Sequence, residues 1–155
     1  MKNGFIYLLV ASLLFSYNSI GSYENHKEIG DIEYLLNERI AVMNDFLYGS
    51  KNVNDINDLQ ENLSKIEAEK LLDNDLDILY KIIDNPTDYE LAMNVKVDKI
   101  NSLDETDYGY KINADLNWLM RGYDGEFNLV KNYDIKCVEL DNKTYLAELK
   151  YMEWA

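Results

Sequence analysis

One change of period divides the chain. Before its only proline, Pro86, apolar residues recur every three or four positions; after it they recur every second position. Spacings of three and four gather side chains on one face of a helix, whereas alternation gathers them on one face of a strand. A chain divided in this way folds as helices followed by strands, an α+β arrangement.

The helical part reads as three segments. Ile32, Leu36, Ile40, Met43 and Leu47 form one stripe, with Asp31 as its N-cap and Gly49 just past its end. After a polar turn over 50–54, Asp58 and Glu61 have capping-box spacing, and Leu59, Leu63 and Ile66 form the second stripe. A third helix is expected from about Asp73 to Asp84, with Leu72, Leu76, Leu79 and Ile83 on one face. It must stop at Asn85-Pro86, because the residue before proline is pushed out of the helical region.

The strand part starts with Leu91, Met93, Val95 and Val97. The cleanest run follows: Tyr108, Tyr110, Ile112, Ala114, Leu116, Trp118 and Met120 alternate with polar residues. A turn flanked by Gly122 and Gly125 leads to Phe127, Leu129, Tyr133, Ile135 and Cys137. The phase then slips to Val138 and Leu140, which predicts a bulge near Cys137. Asp141-Asn142 is a tight-turn signal, and Thr144 to Trp154 supplies the last strand. One-sided alternation with short connectors predicts a four-stranded antiparallel meander, its apolar face covered by the helices.

The first 22 residues concern address rather than fold. Lys2 precedes an apolar run from Phe5 to Phe15, and small residues follow, with Ser19 and Gly21 at cleavage-site spacing. This is the layout of a secretory signal peptide or, if uncleaved, of a short N-terminal anchor. Residues 23–30 read as a polar linker and 31–155 as a single domain, a division that 155 residues accommodate. The expected location is secreted, or anchored at the outer face of the cytoplasmic membrane.

The order of elements from Ile32 to Trp154 resembles the NTF2-like, or cystatin-like, fold. That resemblance implies a cone between helix and sheet, where enzymes of the superfamily place an Asp, His or Tyr. The cavity candidates here are Tyr80, Tyr108, Tyr110 and Trp118, although aromatic residues at period 2 also serve as core. An apolar N-terminus joined to such a domain is similar to the VirB8-like conjugation proteins, which carry a cytoplasmic segment where this chain has four residues. The Asn, Lys, Ile and Tyr bias is similar to that of secreted proteins of low-GC, clostridial-type bacteria.

Charge and chemistry narrow the function classes. With 29 acidic residues against 15 Lys and Arg, the formal net charge is -14. That excludes phosphate-backbone binding and strong attraction to an anionic membrane, both of which need clustered cations. A basic partner protein would instead be favoured. Cys137 is the only cysteine and His26 the only histidine, so no disulfide, CxxC site or Ser/His/Asp set is expected. The acidic cluster Asp73-Asn74-Asp75-Leu76-Asp77, with Asp84 twelfth, has the look of a calcium loop. It carries Ile78 where such a loop needs glycine, so it reads as a solvated helix start and no metal or cofactor is expected. Asp115, Asp134 and Glu148 fall in the polar phase of strands, and Asp98 and Asp107 near strand ends. Tyr145, Tyr151, Met152 and Trp154 carry the last strand to the terminus and form the candidate interface. The expected function is therefore a non-enzymatic, exported domain that binds another protein in an envelope-associated or secreted assembly. The alternative is a small-ligand-binding or enzymatic cone.

Overall fold

A computed structural model describes residues 27–49, 56–84 and 90–153. The signal-like segment, His26, the turn over 50–54, Asn85-Pro86 and Trp154 lie outside the described residues. Three helices come first: α1 (Lys27–Tyr48), α2 (Ile56–Leu63) and α3 (Glu69–Asp84). Four strands follow: β1 (Leu91–Thr106), β2 (Gly109–Gly122), β3 (Gly125–Leu140) and β4 (Lys143–Tyr151). They form one antiparallel sheet in the order β1-β2-β3-β4, the expected meander.

Each hairpin turns through two residues, and local chemistry decides where. In the first two, a glycine follows the turn with positive φ, 138° at Gly109 and 123° at Gly125. A Cβ at Gly109 would stand 2.3 Å from the Cys137 carbonyl oxygen, so no other residue fits there. The third turn uses Asp141 and Asn142, with φ of 52° and 61°, the left-handed region that Asp and Asn tolerate best. A register shift does fall beside Cys137, between Lys136 and Cys137, but the extra residue is Ala147 of β4, while β3 keeps an unbroken register with β2.

Alternation along β2 sends Tyr110, Ile112, Ala114, Leu116 and Trp118 to the helix-covered face, all buried. They meet Ile32, Leu35, Leu36 and Ile40 of α1, together with Ile66, Leu71, Ile135, Cys137 and Leu146. Each fully buried aliphatic side chain of this set contributes about 1.5–3 kcal/mol. A second, smaller cluster joins the three helices, with Leu59, Leu63 and Leu79 at its centre and Met43, Leu47, Leu72 and Leu76 around it.

Three expected boundaries move. Helix α1 reaches back to Lys27, so residues 27–30 are helical rather than linker and Asp31 lies inside the helix. Half-buried Ile29 extends the stripe one turn before Ile32, and Lys27 pairs with Asp31 at 3.2 Å. Helix α2 starts at Ile56, which puts Asp58 in its first turn, and Glu61 pairs with Lys65 instead of capping. Helix α3 starts at Glu69, so the acidic cluster lies within it, and Ile83 is exposed. The helix has two packed faces: Leu72, Leu76 and Leu79 meet the other helices, while Leu71 turns toward the main core. Among the described residues no helix is long and apolar enough to cross a membrane.

Candidate functional site

Both outer strands of the sheet have part of their exposed main chain covered. Along β1, α1 supplies side chains. The Asn37 amide donates to the Val95 carbonyl at 2.9 Å, and its oxygen accepts the Val95 N–H at 3.0 Å. Glu33 accepts the Val97 N–H at 2.7 Å, and Asn44 donates to the Ala92 carbonyl at 2.8 Å. Positions 33, 37 and 44 share one face of the helix, so α1 mimics a neighbouring strand.

Along β4 the cover is main chain. Past the end of α2, the chain turns so that the Leu146 N–H donates to the Ile66 carbonyl at 2.9 Å and the Ala68 N–H donates to the Leu146 carbonyl at 2.8 Å. Between them, Glu67 forms a parallel bridge with Leu146. Its side chain points inward and is wholly buried. Arg39 of α1 reaches it, its Nε donating to Glu67 Oε1 at 2.8 Å and to Asp75 Oδ2 at 2.7 Å. Asp75 of α3 is itself only 3% exposed. This carboxyl is the middle of the acidic cluster that the sequence presents as a solvated helix start; the flanking Asp73, Asn74 and Asp77 are solvated, and Asp75 is not.

Two carboxyls thus share one guanidinium out of water. Burial comes first among the causes that raise the Glu67 carboxyl to about 8, followed by its hydrogen bond to Asp75 and the Asp75 charge, with Arg39 opposing. Among the described residues Glu67 Oε2 has no hydrogen-bond donor. A proton on the Glu67 carboxyl turns that group into a donor toward Asp75.

Above this cluster an aromatic row crosses the sheet from core to surface. Trp118 of β2 and Tyr133 of β3 have ring centroids 5.7 Å apart, and Tyr133 and Tyr151 of β4 are 5.8 Å apart, both tilted. Burial raises the Tyr133 hydroxyl, Tyr151 adding to the shift and Arg39 opposing it. The row ends at Tyr151, 41% exposed, with the Lys131 ammonium 4.7 Å above its ring. Met152 continues the strand pairing through its N–H to the Asn132 carbonyl at 3.0 Å. Tyr145 lies half-buried at the other end of β4 under Lys143, roughly 20 Å away along the strand. Tyr151 and Met152 therefore form one corner, and Tyr145 does not belong to it.

The four cavity candidates do not line one site. Tyr110 and Trp118 are part of the packed core, Tyr108 stands exposed in the β1–β2 turn, and Tyr80 is exposed on α3. Cys137 is fully buried, and burial pushes its thiol up to about 12, so it is no nucleophile at neutral pH.

Asp115 and Asp134 lie on the outer sheet face as part of an amide ladder. Asn132 donates to Asp115 at 2.7 Å, and Asn113 donates to Asp134 at 2.7 Å. Glu148 is exposed on the same face; Asp98 falls within β1, and Asp107 in the first turn. Among the described residues no group of three or more His, Cys, Asp or Glu side chains is arranged to hold a metal ion.

The buried cluster had a signal in the chain. Leu63, Glu67, Leu71, Asp75 and Leu79 are spaced by four, so two acids interrupt an otherwise apolar row. Arg39 is one of only two arginines in the chain. The chain matches no protein-family model and no curated protein. Its helices packed on a four-stranded antiparallel sheet are compatible with an NTF2-like α+β fold.

Proposed function

We propose that the chain is an exported, non-enzymatic binding module of NTF2-like architecture that docks another protein through the Tyr151 corner of its sheet. One observation carries this reading. Tyr151 is exposed yet held in place, with the Tyr133 ring behind it and Lys131 over its face. A rigid, half-exposed aromatic is the side-chain type most often found at the energetic centre of a protein interface. Ordering such a ring on binding costs little, because its neighbours have already fixed it. The net charge of -14 favours a basic partner and would raise its rate of encounter. The signal-like layout of the first 22 residues supports export.

The test is site-specific photo-crosslinking in the producing cell. A crosslinking residue at position 151 is expected to give a discrete adduct, and one at the fully exposed Tyr123 is expected to give none. Tyr151→Ala should then weaken capture of the identified partner about tenfold or more. Absence of an adduct at 151, or the same adduct at both positions, would sink the proposal.

A second reading has one observation in its favour. Among the described residues the buried indole Nε1 of Trp118 has no hydrogen-bond acceptor, which a small polar ligand admitted to the core beside it would supply. Native mass spectrometry of protein from its own source, showing a bound small molecule lost on unfolding, would support that reading over the first.

A further inference from the structure

The β4 junction is held by ionisable groups that docking at Tyr151 does not require. Arg39 comes to Glu67 from α1 and Asp75 comes from α3. From β4 comes the main chain of Leu146, and from β3 comes Tyr133, which senses Arg39. With both carboxyls ionised, the cluster carries one net negative charge out of water, and Glu67 Oε2 faces no donor among the described residues. A buried charge without a partner is among the costliest defects a fold can hold. One added proton neutralises the cluster and gives the Glu67 carboxyl a hydrogen to donate to Asp75.

We propose that a proton on the Glu67 carboxyl latches residues 66–68 onto β4, so that acidification tightens the junction of α1, α3 and β4 and alkalinisation loosens it. The direction follows from linkage. Glu67 holds its proton more tightly in the folded chain, with a value of about 8 against an ordinary 4.5. Its contribution to stability is complete below the ordinary value and is lost as pH rises through the window up to about 8. A salt-bridged carboxylate with a depressed pKa behaves in the opposite way.

Three measurements on the full chain test the latch. Followed by carbon NMR, the Glu67 carboxyl should titrate far above its ordinary value of 4.5; a midpoint near that value overturns the proposal. Hydrogen exchange at the Leu146 and Ala68 amides reads the junction itself. Corrected for the intrinsic base-catalysed rise, their opening equilibrium should grow by up to about tenfold per pH unit between about pH 5 and 8. In Glu67→Gln, which keeps the shape and supplies an amide donor, that growth should vanish, and the variant should outlast the wild type in urea at alkaline pH. Parallel pH profiles for wild type and variant would overturn the latch. The carboxyl titration needs no variant, so failure of Glu67→Gln to fold would leave a decisive measurement in hand.

Discussion

Along β1, three side chains of α1 stand in for a missing strand; along β4, a stretch of main chain does so and brings a buried carboxyl with it. An uncovered outer strand is a template for unwanted pairing, so both solutions guard an edge of the sheet. They differ in what they respond to. The β1 cover depends chiefly on the amide of Asn37, which matches the hydrogen-bond pattern of a peptide group and does not titrate. The β4 cover rests on a cluster of one cation and two acids whose charge balance changes with a proton. One sheet thus has a passive edge and a responsive one.

The largest expected effect breaks the responsive edge. Arg39→Met would leave Glu67 and Asp75 buried together without a cation, and should cost about 3–5 kcal/mol in chemical denaturation at neutral pH. A loss below about 1 kcal/mol would mean that the cluster is not desolvated as described. Next in size, Asn37→Ala on the passive edge would strip both the N–H and the carbonyl of Val95 of their partners, for about 1–3 kcal/mol. That loss should be the same at pH 5 and pH 8, and a pH-dependent loss would erase the contrast between the edges. The smallest effect is Glu33→Gln, which keeps an acceptor for the Val97 N–H but removes its charge, for about 0.5–1 kcal/mol. Urea midpoints for these variants at two pH values would rank the edges directly.

Much of this architecture was legible in the chain, because local rules and tertiary packing agree there. The even-numbered apolar residues of β2 all point to the helices, and a bulge does fall beside Cys137, although its extra residue, Ala147, belongs to β4. Asp141-Asn142 turns where its residue types said it would. The misplaced boundaries lie where tertiary contacts overrule local signals, as at Lys27, where Ile29 adds a turn of buried surface that no cap announces. The site was harder to see. Asp75 sits among Asp73, Asn74 and Asp77, and nothing local tells the one buried acid from its solvated neighbours. Only the row of fours from Leu63 to Leu79 distinguishes it, and that row crosses from the end of one helix into another. Asn37 and Asn44 gave no signal either, since a polar helix face looks the same whether it meets water or a strand edge.

Cys137 has a practical consequence. Its sulfur is fully enclosed, and its thiolate is scarcely populated at neutral pH. An alkylating reagent can therefore reach it only while the core is open, and the chain has no second thiol to confuse the reading. The sole cysteine is a built-in clock for opening. Its labelling rate, compared with exchange at Leu146, would separate a loosened edge from a molecule coming apart as a whole.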